Sequence, residues 1–318
     1  MRAVAYDRYG PPGVLRLVDL PVPEPAVGQV LVRVAATGVN LSDWECLTGA
    51  PAYARLGGLR APARRVLGSD VVGRVAAVGP GAQTFAVGDE VYGDVLGLKG
   101  GFAEYALAPV TALAHRPEGL DVVQAAALPQ PGAIAAHGVR HVRAGSRVLV
   151  NGGGGGSGVL AIQLAAQAGA HVTGVDAAAK LDLMRAAGAD DVVDHRREDA
   201  LRRRGAYDLV IDLVARRSPL ACRRALAPGG WYEAVGGTVA ALLGIATVGA
   251  AAGVLTGRRV GVAAVPTGPR AFGPVGARCA EGELTVHVER TYGLEDAPAA
   301  LARVGAGAAL GKLVVVLG

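Results

Sequence analysis

The residues that could do chemistry cluster in Arg147–Gly158, RVLVNGGGGGSG. Gly153, Gly155 and Gly158 fit G-x-G-x-x-G, and Gly152, Gly155 and Gly158 fit G-x-x-G-x-x-G. Glycine lets a pyrophosphate approach backbone amides that any Cβ would screen, and the helix start then holds the negative charge. Gly152, Gly153, Gly155, Gly156, Ser157 and Gly158 are therefore the candidate cofactor-binding residues of this turn. Asp176 lies roughly 20 residues beyond the glycines, where an acid accepts ribose hydroxyls. Lys180 follows four positions later, within reach of the same ribose.

A Gly-rich run alone can be a flexible linker; the flanking elements decide otherwise. Arg147–Val150 reads as a short buried strand, and Val159–Ala168 as a helix closed by Gly169. His171–Val175, Asp191–Asp194, Tyr207–Val214 and Trp231–Val235 then alternate with helical stretches. This βαβ rhythm over 123–264 predicts a doubly wound parallel sheet. Residues before it read as mostly β: Met1–Tyr6, Val30–Ala36, Asp70–Val78, Glu90–Tyr92 and Phe102–Leu107, with Gly/Pro turns between them. The tail returns to β at Leu284–Val288 and Gly311–Leu317. The organisation expected is a small barrel-like domain, 1–122, a dinucleotide domain, 123–264, and a returning part, 265–318, that folds back onto the first.

The chain has 318 residues, enough for two cores, with 48 glycines and a net charge of +5. So mild an excess does not imply nucleic acid, and Arg202–Arg204 reads as a solvated helix end. Cys46, Cys222 and Cys279 are scattered and odd in number, which excludes a disulfide framework or a paired-cysteine metal site and predicts a reducing, cytoplasmic setting. The strand-like start carries no signal-peptide pattern. Ala234–Gly257 is uncharged and long enough to span a bilayer. Its Gly and Ala content makes it weakly hydrophobic, and it falls where the parallel sheet needs its last strand and helix, so stable membrane insertion is not expected.

The segments GVNLSD (38–43), LGSDVVGRVAAVGPGAQTFAVGDEVYG (67–93), GGFAEY (100–105), AAALPQPGAIAA (125–136), GADDVVDH (188–195) and GKLVVV (311–316), with the glycine turn, resemble the medium-chain dehydrogenase/reductase superfamily over nearly the whole chain. Within it they resemble the zinc-free branch of quinone oxidoreductases and alkenal or enone reductases, which includes zeta-crystallin-like proteins. The resemblance implies an α/β fold: a GroES-like β-barrel catalytic domain plus a Rossmann doubly wound parallel-sheet cofactor domain. Zinc-dependent relatives carry Cys at the position of Asn40, His at that of Ser69 and a third ligand near Pro129 or Gln130, so no zinc is expected here.

On the same resemblance, Asn40 faces nicotinamide and substrate and donates its amide to a carbonyl oxygen, against the alternative of a turn residue. Ser42 stands where zinc relatives keep a relay hydroxyl, with a helix N-cap as the alternative, and Tyr53 lies in the substrate loop. These three are the candidate catalytic residues. Val214, Val235 and Gly236 end strands beside the cofactor, His195 falls near the adenine, and Lys312 in the returning strand faces the cleft. His137 is expected to be a satisfied helix histidine.

The function so implied is zinc-independent hydride transfer from NAD(P)H to a quinone or an α,β-unsaturated carbonyl. The alternatives are a biosynthetic enoyl or ketone reductase, and a crystallin-like nucleotide-binding protein without turnover. Asp176 leans to NADH, the resemblance to NADPH. A homodimer is expected, because the edge strand near Arg259–Val265 needs covering.

Overall fold

The computed structural model describes residues 1–56 and 58–317. The chain divides into two compact units, Met1–Ala133 with Pro266–Gly318, and Ile134–Val265. The first break falls at 133/134, inside a helix, where sequence pattern placed it at 122/123.

The first unit opens with β1 (Arg2–Ala5) and β2 (Arg16–Asp19), an antiparallel pair. The long β3 (Gln29–Val39), β4 (Asp70–Val78), β5 (Glu90–Asp94), β6 (Tyr105–Pro109) and β7 (Leu113–His115) follow. β6 starts three residues later than the Phe102 expected from apolar pattern, because Phe102 and Ala103 serve instead as loop residues buried in the core. Helix α1 (Leu41–Thr48) leaves the end of β3 directly, and Asn40 is its N-cap. Ser42 is thus a first-turn residue and not the cap. α2 (Val122–Ala126) and α3 (Pro129–Val139) lead into the second unit.

In the second unit β8 (Arg147–Asn151), β9 (His171–Asp176), β10 (Asp191–Asp194), β11 (Tyr207–Asp212), β12 (Leu226–Ala234) and β13 (Arg259–Val262) form one parallel sheet. Its order is β10-β9-β8-β11-β12-β13. The direction of winding reverses between β8 and β11, the switch point at which such sheets bind ligands outside their carboxyl ends. The helices include α4 (Gly156–Gln167), α5 (Leu181–Ala186), α6 (Pro219–Ala225), α7 (Val239–Gly244) and α8 (Ala250–Val254). α7 and α8 are joined by a π-helical turn, Ile245–Gly249. The uncharged 234–257 segment is therefore the end of β12 plus this broken helix. No helix of the described residues is long and apolar enough to cross a membrane.

The chain then returns through α9 (Pro269–Ala280), β14 (Val288–Tyr292), α10 (Ala297–Gly305) and β15 (Lys312–Val316). β15 pairs antiparallel with β3, and the first unit's sheet runs β14-β15-β3-β4-β5-β7 with β6 also on β3. The expected strand at Leu284–Val288 is displaced to Val288–Tyr292: Leu284 and Val286 are buried, but as irregular chain filling the core before the strand begins.

Candidate active site: one polar cluster and one glycine turn

In the first unit three strand ends converge. The register sets Leu313 opposite Val39 and Asp70 opposite Gly38, so Asn40, Asp70 and Lys312 meet where β3, β4 and β15 end or begin. Lys312 Nζ donates to Asn40 Oδ1 at 2.6 Å and to the Val39 carbonyl at 2.9 Å. The Asn40 amide donates to Asp70 Oδ2 at 2.8 Å and to Ser69 Oγ at 3.2 Å. Asp70 Oδ1 accepts from the Gln130 backbone N–H at 3.0 Å, and the Ser42 hydroxyl donates to Gln130 Oε1 at 3.3 Å.

A second ion pair braces the start of α1. Asp43 is fully buried; its Oδ2 accepts the Asn40 backbone N–H, and its Oδ1 accepts from Gly68 N–H and from Lys99 Nζ at 3.0 Å. A pair at that depth persists only when its remaining lone pairs are satisfied, as these are. Burial, with the charge of Asp94 adding to it, pushes Asp70 up, against Lys312 and the hydrogen bonds from Asn40 and Gln130. Burial pulls Lys312 down, against the attraction of Asp70, Asp43 and Asp94.

Two expectations change here. Both Asn40 amide hydrogens are committed within the protein, so the residue is not free to serve a substrate carbonyl without giving up a buried bond. Lys312 is 4% exposed and its ammonium points into this cluster, so it is not placed as a cofactor ligand. Tyr53 lies apart, its hydroxyl donating to Glu45 Oε1 at 3.0 Å. Ser42 is half-buried, and its single O–H donor is held only by the long hydrogen bond to Gln130, so it can turn to another acceptor. Asp43, Asp70 and Lys99 were not legible as a cluster, because strand register and not spacing assembles them.

In the second unit the glycine turn leaves β8 at the switch point. Gly152 has φ +85, a conformation that a side chain resists. A Cβ on Gly158 would lie 2.3 Å from the Gly152 carbonyl oxygen, so α4 packs onto the turn only with glycine there. Gly155, the N-cap of α4, meets only Gly152 O at 3.5 Å, leaving open space beside it. α4 begins at Gly156, three residues before the expected Val159, so Gly156, Ser157 and Gly158 are first-turn residues whose N–H groups lack intrahelical partners. These residues fit a dinucleotide pyrophosphate.

Asp176 ends β9 and turns back on the glycines: Oδ2 accepts Gly154 N–H at 3.0 Å and Oδ1 accepts Ala177 N–H at 2.8 Å. Lys180, expected at the ribose, pairs with Asp176 at 3.5 Å and is 8% exposed. His195 is exposed, with its N–H on the Asp176 carbonyl. Val214 and Val235 lie beside Asp212, a carboxylate with no signature in the sequence: Val214 N–H bonds its side chain and Val235 N–H its main-chain carbonyl, while Gly236 follows Val235 with φ +75. The fully buried Asp212 Oδ1 accepts from Asn151 Nδ2 at 2.7 Å, Val214 N–H at 2.9 Å and Ala215 N–H at 2.8 Å; Oδ2 accepts the Tyr232 hydroxyl at 2.6 Å. Asp212 ties β8, β11 and β12 together at the switch point and shapes the turn bearing Val214. His137 is not satisfied among the described residues: Nε2 is buried without a hydrogen-bond partner there, 3.8 Å from Glu233.

A two-unit chain with a dinucleotide turn in one unit and a buried polar cluster on GroES-like strands in the other defines a nicotinamide-dependent oxidoreductase. Residues 26–118 match the Alcohol dehydrogenase GroES-like domain and residues 187–315 the Zinc-binding dehydrogenase family. The chain is 31% identical over 309 residues to the trans-enoyl reductase pgmF of Aspergillus terreus, covering 90% of this chain and 86% of that protein. It is 36% identical over 228 residues to the Homo sapiens quinone oxidoreductase, covering 68% and 67%. The solved quinone oxidoreductase from Coxiella burnetii superposes with a TM-score of 0.88 at 29% identity, covering 100% and 99%. The chain belongs to the medium-chain dehydrogenase/reductase superfamily, in the branch of quinone oxidoreductases and enone reductases, and is an oxidoreductase.

Zinc does not fit the cluster. Asn40 and Ser69 offer an amide and a hydroxyl, and an ammonium already rests 2.6 Å from Asn40 Oδ1. Among the described residues no group of three or more His, Cys, Asp or Glu side chains could hold a metal ion.

Proposed function

We propose that this protein is an NAD(P)H-dependent reductase of quinones or α,β-unsaturated carbonyl compounds, with NADH favoured. The observation that carries the reading is the polar cluster at Asn40, where an amide, a hydroxyl and a buried cation stand in place of metal-binding thiolate or imidazole. An acceptor whose charge spreads onto a conjugated oxygen needs only a donor at that oxygen. When bound, the nicotinamide supplies a hydride. Gly152–Gly158 hold its pyrophosphate, and Asp176, still carrying a carboxylate at the end of β9, disfavours a 2′-phosphate.

The chain's own part at the reacting oxygen falls to the Ser42 hydroxyl, which rotates from Gln130 to the substrate. Asn40, locked by Lys312 and Asp70, fixes the start of α1 that carries Ser42. The trans-enoyl reductase match over 90% of the chain favours a second reading, with an enoyl thioester as acceptor and the same chemistry. Turnover of NADH and NADPH with simple quinones, free enones and enoyl thioesters tests both. Oxidation with none of the three would reject the proposal and favour a non-catalytic nucleotide-binding protein.

The assembly proposed is a homodimer through β13, which is the end strand of its sheet. The free Cys46, Cys222 and Cys279 support a reducing, cytoplasmic setting.

A further inference from the structure

β11, β12 and β13 are parallel, so their amino ends lie on the sheet edge opposite the carboxyl ends that carry the glycine turn. At that far edge Arg204, Arg223, Arg224 and Arg258 line a hollow of about 350 Å³, and no carboxylate lines it. Arg204 and Arg224 also line a second hollow of about 520 Å³, which follows α6 back to Arg216 and Arg217. Asp199 is the single acid lining it, and it is shared between Arg202 at 3.5 Å and Arg217 at 2.7 Å. Among the described residues, Arg204, Arg216, Arg223 and Arg224 have no carboxylate partner. The Nε of Arg223 is buried with no hydrogen-bond partner.

The hollow itself points to an anion: four guanidiniums line it and no carboxylate does. Guanidiniums gathered around one hollow repel one another. An anion accepting from several of their exposed N–H groups offsets that cost, and phosphate oxygens match the guanidinium fork two at a time. Two hollows joined by Arg204 and Arg224 match two phosphate groups in one molecule. Their concavity and size suit a small ligand. No lining side chain is aromatic, so the aromatic platforms on which single-strand binders stack successive bases are missing from these linings.

We propose that these hollows form a second anion site, separate from the glycine turn, for a small ligand bearing two or more linked phosphates. The probes are inorganic tripolyphosphate and ATP, titrated calorimetrically into protein saturated with NADH so that the glycine turn is occupied. Saturable binding of both is expected, weakened about tenfold or more in the Arg204→Gln/Arg224→Gln double variant. Both substituted residues are exposed, and an unchanged melting temperature shows that the variant folds. Binding of ATP without tripolyphosphate, equal affinity in wild type and double variant, or no saturable heat with either probe would each overturn the site. Tighter binding of a short DNA duplex than of tripolyphosphate would overturn its assignment to a small ligand.

Discussion

Lys312 Nζ lies 2.6 Å from Asn40 Oδ1, joining β15 to the N-cap of α1 across 272 residues of sequence. The contact gives a buried ammonium one of its two acceptors and fixes which way the Asn40 amide faces, toward Asp70 and Ser69. Asn40→Ala leaves that ammonium the Val39 carbonyl but takes away its other acceptor, a loss of about 1–3 kcal/mol. Lys312→Met removes the cation 4.0 Å from the fully buried Asp70 and should cost more, about 3–5 kcal/mol. The double variant should then be less destabilised than the sum of the two. Urea melts of the four proteins measure this cycle, and strict additivity would show that the contact carries no energy.

Activity should follow position rather than burial. Ser42→Ala should lower kcat by roughly 10²-fold, the usual cost of one oxyanion donor, while leaving the KM for NADH nearly unchanged. Tyr53→Phe should change kcat little, because its hydroxyl is engaged with Glu45. Steady-state kinetics with the best quinone or enone decides; a Ser42→Ala enzyme with normal kcat would remove the hydroxyl from the chemistry.

Asp94 stands directly opposite Asp70 in the β4–β5 register, two carboxylates where like charges repel. Burial pushes Asp94 up to about 6, with Asp43 adding and Leu96 N–H, Lys99 and Gln130 opposing. A carboxyl whose folded value exceeds its unfolded one stabilises below the unfolded pKa, and that stability is lost as pH rises through the folded value. Asp94→Asn lacks this loss, and its amide oxygen can still accept from Leu96. Relative to wild type the variant should gain up to about 2 kcal/mol between pH 4 and 7, read as a rising difference in melting temperature. A difference flat with pH would mean that Asp94 titrates normally.

The glycine turn and every strand of the parallel sheet were legible in sequence, because a phosphate cradle and a buried strand are local patterns. The polar cluster was legible only in part. Asn40 stood out by its place after a strand, but its commitment to Lys312 depends on β3–β15 register, which no local pattern carries. Asp212 was invisible for a similar reason: it ends a strand like any other residue, and only three neighbouring strands make it a hub. Leu284–Val288 misled because a buried irregular segment and a strand share one apolar composition.

β13 ends its sheet with Arg259 and Val262 exposed, so its outer backbone groups have no strand beside them. Light scattering at micromolar concentration should report twice the 31.9 kDa chain mass. Val262→Lys places a charge on that edge and should shift the protein toward monomer. A wild type of single-chain mass would reject the dimer.

Asp176 has two duties that one substitution can separate. Its carboxylate accepts Gly154 N–H at 3.0 Å, which holds the glycine turn, and in the proposed function it also repels a 2′-phosphate. Lys180, 3.5 Å away, offsets part of that charge, so discrimination should be modest. Asp176→Asn keeps an acceptor for Gly154 and loses the charge. It should hold NADH within a few-fold and improve NADPH by about tenfold, or about 1.4 kcal/mol. Asp176→Ser, with a shorter side chain, should weaken NADH as well, because the turn loses its brace. Fluorescence titration of both nucleotides against the three proteins gives the result. If the wild type already binds NADPH tenfold more tightly than NADH, the carboxylate does not choose the cofactor and serves the turn alone.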